Sequence, residues 1–216
     1  MTEHNFEHMR RAMIASQLRT TGTNDPRVLA AMGEVPRERF VPEGRVAAAY
    51  ADALVPLKAG RELNNPMALG RLLTEAAPGE QDRAMVIGAA TGYAAAVLSR
   101  LVAHVVAVEE DPDLAAAARV ALAGSGVELI EGAMTSGHGE GAPYDLILID
   151  GAVERVPDSL VAQLADDGRI AGGIVEQGVT RLALGRKAGE GFAMAAFADA
   201  AAAVLPGFAR PRTFTF

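Results

Sequence analysis

The stretch "VIGAATGYAAAV", Val86 to Val97, decides the fold. Val86 and Ile87 end a short apolar run that begins at Arg83, "RAMVIG". Gly88 and Gly92 bracket a turn, and "GYAAAVLSRL" then has the composition of a helix. A glycine at the end of a strand permits backbone angles that other residues avoid. A strand, a glycine turn and a helix in that order have two readings. The turn cradles a nucleotide-like ligand, or it only fits a helix onto a sheet.

The residues that follow repeat the alternation. "HVVAVEE" is a strand, and "DPDLAAAARVALAGSG" is a helix with Asp111 as cap and Pro112 at its first position. "VELIEG" and "YDLILIDGA" are strands, and "PDSLVAQLADDG" is a helix stopped by glycine. "RIAGGIVEQ" and "TRLALGRKAG" are later strands, the last of which can open a hairpin. Strands separated by helices imply βαβ units and a mostly parallel sheet. Their solid apolar runs suit a sheet covered on both faces. "FADAAAAVLPGF" is ambiguous, and its alanines favour helix by propensity.

The N-terminal third reads differently. "HMRRAMIASQLR" has helical spacing, and "NDPRVLAAM" is a helix with Asp25 as cap and Val28, Leu29 and Met32 facing inward. "VPRERFVPEGRVAAAYADALVPLKAG" reads as turns around one short helix. In "LNNPMALGRLLTEAAPG", Asn64 or Asn65 caps a helix that opens at Pro66 and ends before Pro78 and Gly79.

Composition removes several classes of function. With no cysteine among 216 residues, disulfides, thiolate catalysis and cysteine metal sites are excluded. A net charge of -7 argues against a broad nucleic-acid surface. The four histidines are scattered; His4 and His8 are spaced i,i+4, but no third ligand accompanies them, so no metal is expected. The opening residues lack the apolar run of a signal peptide, and no segment suits a membrane span. The expectation is a soluble cytoplasmic protein.

In open parallel sheets, ligands sit beyond the carboxyl ends of the strands. Glu109 ends the strand after the glycine turn, 21 residues beyond Gly88. A carboxylate there accepts hydrogen bonds from two ribose hydroxyls. The turn lacks the middle glycine of the dinucleotide pattern, since Ala90 stands there. A nucleoside without a pyrophosphate tolerates this, which favours S-adenosylmethionine over a nicotinamide dinucleotide.

At this point the chain resembles the protein-L-isoaspartate O-methyltransferase family. The resemblance is carried by "VPRERFV" (35–41), "ALVPLKAGRELNNPMALGRLL" (53–73), "VIGAATGYAAAVLSRL", "HVVAVEEDPDLAAAAR" and "YDLILIDGAVERVPDSLVAQLADDGRI". It implies a Rossmann-like S-adenosylmethionine-dependent methyltransferase fold, α/β, with a doubly wound sheet and an N-terminal helical extension. Residues 1–80 would hold the helical segment and substrate loop, and residues 81–216 the cofactor-binding part of one compact unit.

The resemblance implies a cofactor site at Gly88, Ala89, Ala90, Thr91, Gly92, Tyr93, Glu109, Ala133 and Met134. It implies an acceptor site at Leu63, Asn64, Asn65 and Asp150, with Asn64 at the position of the family's characteristic serine. The expected activity is methylation of isoaspartyl carboxylates in damaged proteins or peptides. Such a carboxylate is already ionised at neutral pH, so neutral donors that orient it suffice and no strong base is needed.

Departures from the family pattern keep two alternatives open. Val86, Ala90 and Ala133 replace its acid, middle glycine and adenine-side acid. Glu62 sits beside the acceptor position, where it turns outward, pairs with Arg61 or signals another acceptor. Asp150 meets a substrate amine or caps the next turn, the second being favoured. The alternatives are a methyltransferase on a different acceptor, and a divergent interaction module that binds cofactor weakly.

Overall fold

The computed structural model describes residues 3–58 and 60–210. The His4 side chain and residues 211–216 of the expected second unit lie outside the described residues. Helix α1 (Glu3–Met13) leads through one π-helical turn into α2 (Pro26–Glu34). Asp25 caps α2 by accepting from the backbone of Arg27 and Val28, and Pro26 fixes its first φ. Two 3-10 turns, Arg37–Phe40 and Glu43–Ala48, replace the single short helix read from the prolines. A small ribbon of β1 (Val55–Pro56) and β2 (Glu62–Leu63) then precedes α3 (Pro66–Ala76).

The sheet begins with β3 (Arg83–Ile87), α4 (Tyr93–Leu98), β4 (His104–Glu109), α5 (Pro112–Ala121) and β5 (Glu128–Glu131). It continues with β6 (Tyr144–Val153), α6 (Asp158–Val161), β7 (Leu164–Glu176), β8 (Val179–Ala188) and β9 (Gly191–Asp199). The seven strands lie in the order β5-β4-β3-β6-β7-β8-β9. The first five are parallel; β8 and β9 add an antiparallel meander. The strand order reverses at β3, which puts the ligand edge at the carboxyl ends of β3, β4 and β6.

Alternate residues of each central strand feed different cores. Ala84 and Val86 face the cluster under the N-terminal helices, with Leu72, Leu73 and Met32. Met85 and Ile87 face the opposite cluster with Ile147, Ile149 and Leu160. Because both faces are covered, the period-2 polarity of a half-exposed strand is absent, and the strands read as unbroken apolar runs.

Two expectations fail. The helix over "PDSLVAQLADDG" is only Asp158–Val161, and β7 already starts at Leu164. In "FADAAAAVLPGF" the alanines do not form a helix. Phe197–Asp199 complete β9 against β8, and the chain then crosses the ligand edge in extended form. Pairing along a whole neighbouring strand outweighs an alanine's helix preference, which is worth only tenths of a kcal/mol per residue relative to ordinary residues, on the order of 0.7 at most.

Candidate functional site

The turn of Val86–Val97 lies at the reversal point. Gly88 has φ 75°, and Ala90, where the middle glycine was missing, has φ 50°. An alanine in the left-handed region costs about 1–2 kcal/mol, so the turn holds this backbone angle at Ala90 at the expense of strain. The N–H groups of Gly88 and Ala89 both donate to the Val108 carbonyl, and that of Gly92 to the Ala89 carbonyl. The Thr91 hydroxyl donates to the Phe40 carbonyl at 2.6 Å. Tyr93 is buried, edge-on to Phe40, and its hydroxyl has no hydrogen-bond partner among the described residues.

Glu109 stands at the end of β4 and is 0% exposed. It does not face open space. Arg61 donates from two guanidinium nitrogens to its two oxygens, at 2.7 and 3.0 Å. The backbone N–H groups of Ala90, Glu110 and Asp111 donate to the same carboxylate at 2.7, 3.0 and 3.0 Å. Arg61 therefore does not pair with Glu62. That residue is half-buried in β2 opposite Pro56.

The acceptor residues are also engaged. Asn65 caps α3 through its side-chain oxygen, which accepts from Ala68 N–H at 2.7 Å, and its amide donates to the Ala201 carbonyl at 3.0 Å. Asn64 donates to Asp150 Oδ1 at 2.8 Å and accepts from Ala203 N–H at 2.8 Å. Asp150 neither caps a turn nor meets open solvent; it is 6% exposed. Burial pushes its carboxyl up to about 6, against the opposing pull of the Asn64 hydrogen bond and the nearby Arg37 and Arg61. Leu63 is buried in the core below.

Arg37 of the "VPRERFV" stretch was not singled out in the sequence. It is almost fully buried, donates to the carbonyls of Ala49 and Asn64, and lies 4.6 Å over the Tyr93 ring. Burial lowers its pKa. A cation spaced from the turn by more than fifty residues carries no local pattern that would have pointed to it.

The extended segment 200–205 covers the edge. Ala203 and Leu205 bond to both sides of Ala152 on β6, through Ala152 N–H to Ala203 O at 2.7 Å and Leu205 N–H to Ala152 O at 2.9 Å. The Leu205 side chain then sits over Gly88, where a Cβ would lie 2.8 Å from Leu205 Cδ1 and 3.4 Å from Met134 Sδ. Met134 is fully buried there, while Ala133 beside it is exposed. The cavity bordering Thr91, lined also by Phe40, Leu57, Lys58 and Leu114, holds about 260 Å3. Small-molecule sites start at about 300 Å3. Larger depressions of about 660 and 520 Å3 lie away from the turn, around Gly178 and Gly189.

Among the described residues there is no group of three or more histidines or acids placed to hold a metal. No described helix is long and apolar enough to cross a membrane.

Residues 9–201 match the family model described as protein-L-isoaspartate(D-aspartate) O-methyltransferase, which leaves Ala203 and Leu205 outside the match. A protein-L-isoaspartate O-methyltransferase of Methanoregula boonei is 43% identical over 164 residues, 74% of this chain and 76% of the relative. One from Pelobacter propionicus is 41% identical over 169 residues, 77% of this chain and 75% of the relative.

Two solved structures share the fold. One, a protein-L-isoaspartate O-methyltransferase, superposes with a TM-score of 0.80 at 23% identity; the match covers 92% of this chain and spans 66% of that protein. The other, from Plasmodium falciparum and described as a β-aspartate methyltransferase in complex with S-adenosyl-L-homocysteine, gives 0.76 at 18% identity over 91% of this chain and 97% of that one. With the order of motifs, the reversal at β3, a matched span of 9–201 and identities above 40%, the chain belongs to the protein-L-isoaspartate(D-aspartate) O-methyltransferase family.

Proposed function

We propose that the protein is an S-adenosylmethionine-dependent carboxyl O-methyltransferase that acts on isoaspartyl residues of damaged proteins and peptides in the cytoplasm. The observation that carries this reading is the family match over residues 9–201, with an acid, Glu109, placed at the end of β4 beside the Gly88–Tyr93 turn where the strand order reverses. In this reading Gly88, Ala89, Ala90, Thr91, Gly92, Tyr93 and Glu109 hold the adenosyl group, with Ala133 and Met134 on its adenine side. Leu63, Asn64, Asn65 and Asp150 border the acceptor. Residues 1–80 supply the helical segment and substrate loop, and residues 81–216 the cofactor-binding part.

As arranged, these residues do not fit the cofactor. The Glu109 oxygens are saturated by five donors, and Leu205 occupies the space over Gly88. That same arrangement favours the second reading, a divergent interaction module that binds cofactor weakly. Supplying S-adenosylmethionine with an isoaspartyl peptide and its aspartyl twin separates them. Methyl transfer to the isoaspartyl peptide alone is expected. Transfer to neither removes the enzymatic reading, and transfer to both points to another acceptor.

A further inference from the structure

Glu109 is the most buried carboxylate of the ligand edge, and its partner is the chain itself. A carboxylate offers about four lone-pair sites. Here three backbone N–H groups and two guanidinium nitrogens already fill them. The two nitrogens of Arg61 address the two oxygens side by side, as the paired hydroxyls of a ribose would. Arg61 therefore reproduces the donor pattern of a sugar diol, and adds a full positive charge.

The neighbouring space is filled in the same manner. Leu205 lies over Gly88, with its Cδ1 2.8 Å from where a Cβ would stand. The two fillers share fastenings. Asn64, three residues after Arg61, accepts from Ala203 N–H, and Asn65 donates to the Ala201 carbonyl. Lys58 on the same loop pairs with Asp113 at the start of α5. The loop 60–64 and the strap 201–205 thus close on one another as well as on the turn.

We propose that the adenosyl cleft of this chain is self-occupied. Arg61 stands in for the ribose diol at Glu109 and Leu205 for the ligand over Gly88, so that an adenosyl compound enters only when the loop and the strap swing out together. This rests on the methyltransferase reading of the same cleft. The closed form acts as an internal competitor. The apparent affinity falls by the fraction of molecules that are open, so a cleft open in one molecule in ten binds about tenfold more weakly.

The test is titration calorimetry of the full chain with S-adenosyl-L-homocysteine, for the parent, Arg61→Gln and Leu205→Ala. Each substitution removes one filler, and affinity is expected to rise on the order of tenfold. Leu205→Ala carries the test if Arg61→Gln, which leaves Glu109 without its cation, fails to fold. Amide exchange gives a second readout. At saturating ligand the Ala203 and Leu205 amides of the parent are expected to exchange faster, whereas binding to an open cleft would slow or spare them. Equal affinities with unchanged or slower exchange overturn the self-occupied cleft and leave the methyltransferase reading standing. No binding at millimolar ligand by the parent or either variant overturns both.

Discussion

The side-chain amide of Asn64 donates to Asp150 Oδ1 at 2.8 Å across 86 positions of sequence, while its oxygen accepts from Ala203 N–H. One buried carboxamide thereby joins the loop before α3, the end of β6 and the strap. Asn64→Ala leaves a buried carboxylate oxygen and a buried N–H without partners. Each costs about 1–3 kcal/mol. The expected loss in denaturant unfolding is about 2–4 kcal/mol, and a loss below about 1 kcal/mol would mean that water replaces both contacts.

Asp150 makes stability depend on pH in an unusual direction. Its carboxyl rises from 3.8 to about 6 on folding, chiefly through desolvation. Between those values the folded state holds more protons than the unfolded state, so stability falls as pH rises. The penalty is absent below pH 3.8 and complete above about 6. Two units correspond to about 3 kcal/mol. Relative to the parent, Asp150→Asn is expected to gain about 2–3 kcal/mol between pH 3.5 and pH 7. A constant difference across that range would show that Asp150 keeps its ordinary titration.

Gly88 and Leu205 are expected to be coupled. Gly88→Ala places a methyl 2.8 Å from Leu205 Cδ1 at φ 75°. The left-handed angle costs about 1–2 kcal/mol, and overpacking adds about 1–3 kcal/mol. In a Leu205→Ala background only the first cost remains. A double-mutant cycle is expected to return a coupling of about 1–2 kcal/mol; additivity would place Leu205 away from the turn.

Ala77 tests backbone strain away from the site. It ends α3 with φ 47°, exposed, its N–H bonded to the Leu73 carbonyl. Ala77→Gly removes a left-handed penalty of about 1–2 kcal/mol and adds about 0.4–1 kcal/mol of unfolded-state entropy. A net gain of about 0.5–1 kcal/mol is expected, seen as a rise in Tm of about 1–4 °C. Unchanged stability would show that the helix end relaxes around the alanine.

The architecture was legible because its signals are local. The run Val86–Ile87, the glycines at 88 and 92 and the acid at 109 sit within one βαβ unit, where period and spacing suffice. Asn65 as a cap follows from Pro66 beside it. What escaped was non-local. Arg61 meets Glu109 across 48 positions and Asn64 meets Asp150 across 86, and neither pairing leaves a mark on neighbouring residues. The alanines at 200–203 gave a helix signal because alanine has no side chain to declare a sheet face. Their conformation is set by β8 and by Ala152, which lie elsewhere in the chain.

The strap and the guanidinium also determine how this protein would respond in a melting-temperature screen. A ligand ordinarily raises Tm because it adds binding free energy to the native state alone. Here docking must first dissolve an ion pair and two backbone hydrogen bonds that the closed fold already counts among its own supports. An adenosyl compound would therefore raise Tm less at a given concentration than it would for an open cleft, because the cost of opening is already contained in the weaker apparent affinity.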